Sequence, residues 1–350
     1  MSIILKQDAA HFLAGNAVAL DINNLTPNEI SHAAIVGIAG NLGLLPEVPP
    51  LERHPYLEMA PLANRSRYFI GTFPPIGAIL DHPMLAGIPA LINGQNQIYP
   101  PLMPFFHGST LRLWEAIIES DDFAAFTALP RPCKRPFIHG LLVGMNANYS
   151  DIITHIQRTE YNANDAGLTN IFINEYLIRQ IVNNPNASML AFDSSSTFGV
   201  AGLRVHVNNN QHGAAGRVNI SQVKAFDLFA RGCQELGYVI SLRIPANDWI
   251  EINLPNAELI ANTFRNKVIF EMKIENLARD GNAERSFTIT TPPSVSSVAA
   301  LGIGQNLCYL QWLVDNPAQG TFTFIQSIYR ALLANNFTYL NSLNVPEPAV

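Results

Sequence analysis

Four short stretches gather the residues that can do chemistry. Gly71-Thr72-Phe73-Pro74-Pro75 follows the apolar run Tyr68-Phe69-Ile70. Asn146, Asn148, Tyr149, Ser150 and Asp151 lie together in "MNANYSD". Asp193 precedes Ser194, Ser195 and Ser196, and Pro292-Pro293 precedes Ser294 and Ser296. Hydroxyls and backbone N–H groups on proline-stiffened loops can hold phosphate oxygens without bulk. Phe73 can stack on a planar ring. Asn146 and Asn148 each offer a donor and an acceptor to a base edge. Asp151 can face positive charge developing in a transition state. Each group also has an ordinary reading. Asp151 fits the first turn of a helix capped by Ser150, the asparagines fit a polar loop, and the serines fit turn or helix caps. Asp165 and Asp193 are further acids, and Asp165 suits a turn.

Elements must position these groups. The spacing predicts a first strand stopped at Gly71 and the Pro-Pro pair. A long loop rich in Pro, Gly and Asn runs from there to about Pro104, and "STLRLWEAIIES" follows as a short helix. Phe137 to Met145 is apolar almost throughout and predicts a second strand, covered on both faces. "NANYSDIITHIQ" then turns into a helix, and "TNIFINEYLIRQIVNNP" is a clearer one ended by Asn184-Pro185. "ASMLAF" predicts the third strand. "SQVKAFDLFARGCQELG" is an amphipathic helix with Val223, Phe226, Ala230, Cys233 and Leu236 on its apolar stripe. Strands follow at "YVISLRI", "WIEINL", "KVIFEMKI" and "SFTITT", and a last helix at "TFTFIQSIYRALLAN". Near the start, Thr26, Pro27 and Glu29 form a capping-box pattern, so residues 1–60 are expected as a helical extension. Strands alternating with helices predict an α/β fold with a central parallel sheet flanked by helices. If the motif-bearing strands are parallel neighbours, all four loops meet on one rim, where such sheets bind ligands.

Composition bounds the rest. The 350 residues are 48% hydrophobic and 14% charged, ample for a large core. No apolar run reaches the roughly 18–20 residues of a membrane span, and the N-terminus shows no signal-peptide pattern. Cys133, Cys233 and Cys308 are too far apart for a metal or disulfide framework. A cytoplasmic chain with no metal and no cofactor is expected, and a monomer is favoured. The net charge of −6 argues at first against nucleic acid. Its distribution is uneven, with two basic and six acidic residues in 1–60 but ten basic and seven acidic in 131–243. The cluster Arg131, Lys134, Arg135 fits a few phosphates or an ordinary solvated surface.

In that order, the four stretches resemble the motifs of the uracil-DNA glycosylase superfamily. The form "IGTFPP", followed by an aromatic-Gly-helix element at "FFHGSTLRLW", is similar to less-studied bacterial members. The likeness covers about Tyr68 to Phe198 and Ser286 to Trp312, and residues 199–285 look like an insertion within a 61–350 domain. It implies a glycosylase-like sheet and a monofunctional DNA N-glycosylase. DNA with a flipped-out modified nucleotide would be the partner. A bulky hypermodified pyrimidine of phage DNA, such as glucosylated hydroxymethylcytosine, would be the excised base. It places Asp151 and Asn148 in catalysis. Phe73, Asn146, Tyr149 and Phe106 would bind the base. Thr72, Pro74, Ser194, Ser195, Ser294 and Ser296 would hold phosphates. Two positions depart from the better-known branches: Phe73 stands where Asp or Asn handles water, and Pro292 stands where a His faces the leaving base. A non-catalytic DNA-binding or sensor module on the same fold is the alternative, as is an unrelated α/β nucleotide or sugar hydrolase.

Overall fold

Among the described residues, nine strands and nine helices carry the fold in this computed structural model, beside six short strand segments. It describes residues 64–72, 112–129, 131–158, 168–192, 224–276, 284–292 and 306–345, with Leu203, Gly304 and short strand segments at 19–20, 51–53, 89–92, 95–98, 205–208 and 217–220. The strands are β1 (Arg67–Gly71), β2 (Ala147–Asp151), β3 (Ile153–Arg158), β4 (Leu168–Ile173) and β5 (Met189–Phe192). They continue with β6 (Tyr238–Arg243), β7 (Ile250–Glu251), β8 (Ile269–Asn276) and β9 (Glu284–Thr290). The helices are α1 (Arg112–Ile117), α2 (Ser120–Ala128), α3 (Arg131–Gly144), α4 (Glu175–Asn183) and α5 (Lys224–Glu235). The last four are α6 (Ala257–Thr263), α7 (Leu307–Asp315), α8 (Thr321–Leu333) and α9 (Phe337–Ser342).

The central sheet has seven strands in the order β7-β6-β8-β9-β5-β1-β2. Strand β1 pairs in parallel with β2 and with β5, and β9 adds in parallel to β5. Strands β8, β6 and β7 extend this block by antiparallel pairing. Strands β1, β2 and β5 are buried on both faces; β1 and β5 are accordingly apolar at nearly every buried position, whereas β2 buries Asn148, Ser150 and Asp151. On one face Tyr68, Ile70, Leu190, Phe192 and Ile289 join a core with Ile156 and Ile171 of the β3–β4 hairpin, Ile178 of α4 and Phe226 and Phe229 of α5. On the other, Phe69, Tyr149, Met189 and Ala191 pack with Trp114 of α1, Leu142 of α3, Cys308 of α7 and Ile325 and Tyr329 of α8. The chain is thus α/β, with helices on both faces of the sheet.

The second strand is not where the apolar run placed it. Phe137 to Met145 lies in α3 and the turn that ends it. Ile138 and Leu142 are buried, Leu141 and Met145 partly so, and His139, Gly140, Val143 and Gly144 are exposed. That is one stripe at helical spacing. A short apolar run without strict alternation fits either element, and here the exposed glycines and histidine occupy the outer helix face.

The strand that pairs with β1 is the next segment, Ala147–Asp151. The helix expected from "YSDIITHIQ" is therefore two strands, β2 and β3. The β-branched Ile152, Ile153, Thr154 and Ile156 suit a pleated, half-buried surface. Asp151 is consequently not a first-turn helix acid, and Ser150 is no N-cap. The single helix expected over 169–185 divides into β4 and α4 at Asn174, whose side chain accepts from the Leu177 amide. The strand expected at "WIEINL" shrinks to β7, and α2, α6, α7 and α9 add helices beyond those the sequence predicts.

The capping box at Thr26 lies outside the described residues. Within 1–60 the described segments are extended, and 51–53 pairs antiparallel with β3. The span 199–285 supplies α5, β6, β7, α6 and β8, and its β6–β8 strands continue the central sheet.

Candidate functional site

The carboxyl ends of β2, β1, β5 and β9 stand side by side on one rim. In register, Gly71 opposes Asp151, Ile70 opposes Phe192, and Ala191 opposes Thr290. The chain segments leaving this rim are those that begin at Thr72, Ile152, Asp193 and Thr291. Connections from β1 pass over the α1–α3 face to β2, whereas the connection from β2 returns over the opposite face to β5. Such a reversal opens a crevice at the carboxyl edge.

Among the described residues, Asp151 is the acid at the end of these strands, 2% exposed and at the last position of β2. Its carboxylate reaches across the strand pair to Gly71. A Cβ placed on Gly71 would lie 2.2 Å from Asp151 Oδ1 and 3.0 Å from the Tyr149 hydroxyl oxygen. Residue 71 must therefore lack a side chain for the carboxylate to sit where it does. Tyr149 and Asp151, two apart on a strand, share the sheet face covered by Trp114, whose ring lies 6.3 Å from that of Tyr149. An acid and a phenol thus flank one point over the glycine.

The rim around Asp151 is tied down by backbone bonds. The Ile152 amide donates to the Gly71 carbonyl at 3.0 Å and the Ile153 amide to the Thr72 carbonyl at 3.2 Å. Asn174 completes the hold. Its Nδ2 donates to the Asp151 carbonyl at 3.1 Å, its own amide donates to the Ile152 carbonyl at 2.7 Å, and its Oδ1 caps α4. One buried asparagine therefore fixes the end of β2 and the start of a nine-residue helix.

Two of the expected site residues lie elsewhere. Asn148 is buried in mid-strand opposite Tyr68 and hydrogen bonds its phenol, on the sheet face opposite to Asp151. Burial raises the Tyr68 phenol above its usual range, with the Asn184 and Asn148 bonds opposing. Asn148 is a core polar residue and does not reach the Asp151 crevice. Asn146 adopts φ 52° at the turn from α3 into β2, at the opposite end of the strand from Asp151. Its carbonyl accepts from the Ser66 and Arg67 amides, and its Nδ2 donates to Ser66 Oγ. An asparagine tolerates that left-handed conformation where most residues do not, so its role there is the turn.

Tyr149, Asp151 and Thr72 do come together at the rim. Phe73, Pro74, Phe106, Asp165, Asp193, Ser194, Ser195, Ser294 and Ser296 lie outside the described residues. Pro292, buried just past β9, is described. Thr290 shares the Ala191 and Tyr149 row, and its buried hydroxyl has no hydrogen-bond partner among the described residues. Sequence reasoning missed Asn174 and Thr290. The signal for Asn174 was present, since Asn followed by Glu and an apolar run after a β-branched stretch marks a cap.

Among the described residues no three His, Cys, Asp or Glu side chains cluster as metal ligands, and no helix is long and apolar enough to cross a membrane. Comparison with protein-family models, curated proteins and solved structures finds no match to this chain.

Proposed function

We propose that the chain is a DNA glycosylase that flips out a modified nucleotide and excises its base, leaving an abasic site. The observation that carries this reading is Asp151, buried at the carboxyl rim of the parallel block and set over a glycine that gives it room. Hydrolysis breaks the C1′–N bond, joins a water oxygen to C1′, and passes a proton to the departing base. Positive charge builds on the sugar as the bond opens, and a preorganised carboxylate stabilises it more than the ground state. Tyr149 stands beside that carboxylate and holds the orientation of the crevice. In the same reading Phe73 forms the floor for the flipped base, while Thr72, Pro74 and the serines at the ends of β5 and β9 meet the flanking phosphates. The resemblance to bacterial members of the uracil-DNA glycosylase superfamily favours a bulky hypermodified pyrimidine, such as glucosylated hydroxymethylcytosine.

Incubation with duplexes carrying different modified bases tests this. The products are heated in alkali, and any released base is identified by mass. The expected result is strand breakage at one kind of modified position with stoichiometric base release. Tight binding without breakage would replace the enzyme by a DNA-binding or sensor module. Phe73 and Pro292 favour that second reading, because they stand where the resembled family places its water-handling and base-facing groups. Neither binding nor breakage with any DNA would leave an unrelated α/β hydrolase.

A further inference from the structure

A second polar group faces the same side of the sheet as Asp151, two strands beyond Gly71. Thr290, Ala191, Phe69 and Tyr149 oppose one another in turn across β9, β5, β1 and β2, so their side chains form one row on that face. Gly71 and Asp151 belong to the next row toward the rim. At about 4.8 Å between strands and 3.3 Å per residue, roughly 12 Å separates Gly71 from Thr290. On β5, between them, Ala191 offers only a methyl.

Thr290 is fully buried, and its hydroxyl has no hydrogen-bond partner among the described residues. An unpaired hydroxyl in a sheet core costs its desolvation, whereas a valine of the same shape carries no such cost. The next residue shows the ordinary solution. Thr291 donates its hydroxyl to the Lys267 carbonyl and its amide to the Val268 carbonyl. Strand β9 and the residue after it thus commit one hydroxyl to a backbone partner and leave the other, on the Asp151 face, uncommitted. Burial without a partner is not by itself a site. The Ser150 hydroxyl is also buried and unpartnered among the described residues, but Ser150 opposes Ile70 and faces the other core, away from the carboxylate. What sets Thr290 apart is its place on the face that carries Asp151.

We propose that Thr290 is a specificity-determining residue of the Asp151 crevice, its hydroxyl pairing with a hydroxyl-bearing substituent on the edge of the bound base farthest from the deoxyribose. This rests on the glycosylase reading above. With the C1′–N bond held at Asp151, the ring extends over Ala191, and a sugar-bearing substituent carries on to Thr290. A bare pyrimidine is too short to reach it. A threonine hydroxyl both donates and accepts, which suits an alcohol. A base with only a methyl or a hydrogen at that edge leaves the Thr290 hydroxyl unpaired. Sites built to pair a ligand hydroxyl reject the analogue that lacks it for this reason.

Two measurements on the full chain test it, with Thr290→Val as the variant and Ser150→Ala as the control. The first is the melting temperature of the free protein. Thr290→Val should melt higher by about 2 °C or more, because valine fills the same volume without an unpaired hydroxyl. An unchanged or lower melting temperature would mean that the hydroxyl is already satisfied in the free protein, by a bound water, and would overturn the proposal. In the second, duplexes carrying one glucosylated hydroxymethylcytosine or one 5-methylcytosine are compared by equilibrium binding and by single-turnover base release. The wild type should bind the glucosylated duplex more tightly. Thr290→Val should cut that preference by about ten-fold, the scale of one hydrogen bond, and Ser150→Ala should keep it. A wild type without preference, an undiminished preference in Thr290→Val, or an equal loss in Ser150→Ala would each overturn the assignment. Base release judges the reading beneath it separately. Thr290-dependent preference in binding without any release would sink the glycosylase and keep Thr290 as the specificity residue of a DNA-binding module.

Discussion

Gly71 and Asp151 face each other in register across a parallel strand pair, and the carboxylate occupies the space a side chain on residue 71 would need. Only 2.2 Å separates Asp151 Oδ1 from the position of a Cβ at residue 71. Gly71→Ala must therefore push the carboxylate away or shift the strand. Overpacking of this kind typically costs about 1–3 kcal/mol. The expected outcome is a moderately lower melting temperature and, on the proposed glycosylase reading in which Asp151 faces the sugar, base release reduced at least about 100-fold. Full activity in a stable Gly71→Ala protein would show that the position of Asp151 over the glycine is not used.

Asp151→Asn separates charge from shape. The amide fills the same volume over Gly71, so the fold and DNA affinity should stay near wild type. Single-turnover base release should fall by about 100-fold or more, the scale of losing one preorganised electrostatic group. Release under saturating enzyme, beside an equilibrium binding curve, reads both quantities. A wild-type rate would remove Asp151 from the mechanism.

How much of this was legible depended on how each element announces itself. Strand β1 ends at a glycine and a proline pair, β5 is a short apolar run between turns, and α5 carries an unbroken apolar stripe with a glycine terminator. Those were read directly, as were β6, β8, β9 and α8. The segment 137–158 was not. In α3 a stripe of Ile138, Leu141, Leu142 and Met145 reads like a strand covered on both faces, because the exposed positions between them are His139, Gly140, Val143 and Gly144 and only the histidine is strongly polar. In β2 the opposite happened. Asn148, Ser150 and Asp151 look like loop or cap residues, yet all three are buried, and only the parallel partner β1 explains that. The ends of β1, β5 and β9 do share one rim, as their parallel order requires, whereas the stretch expected as the loop after the second strand is the strand β2 itself. The choice of Asn146 and Asn148 did not survive, since a strand sends neighbouring side chains to opposite faces and Asn146 sits at its far end.

Asn174 is expected to act on the rim through structure. Asn174→Ala removes the α4 cap, worth about 1 kcal/mol, and the bond to the Asp151 carbonyl. Stability should fall by about 1–3 kcal/mol in chemical denaturation. Asn174→Ser retains a capping acceptor and lacks the donor to the Asp151 carbonyl, so it should recover part of that loss. If both variants are equally destabilised, the cap contributes nothing.

The buried thiol of Cys308 predicts an alkaline limit to stability. Burial pushes it up to about 11, against smaller downward pulls from the Val345 backbone and the Lys267 ammonium. Its Sγ donates to the Asn266 carbonyl at 2.9 Å, a bond the thiolate cannot make. In the unfolded chain the thiol titrates near its ordinary value of about 8.5–9. The folded state thus keeps its proton to higher pH, and the unfolded state loses it first. Stability from this group is full below about pH 9 and is lost as pH rises through about 11, with a total near 2–3 kcal/mol. Other groups titrate in the same window, including the more deeply buried Cys233, whose thiol burial also raises. The comparison with Cys308→Ala isolates the one thiol. Urea unfolding at intervals from pH 8 to 11 should show a steeper decline in the wild type than in the variant, whatever the variant loses at neutral pH from its vacated volume. Parallel declines would mean that Cys308 ionises as readily in the folded chain as in the unfolded one, and that the contact with Asn266 does not hold its proton.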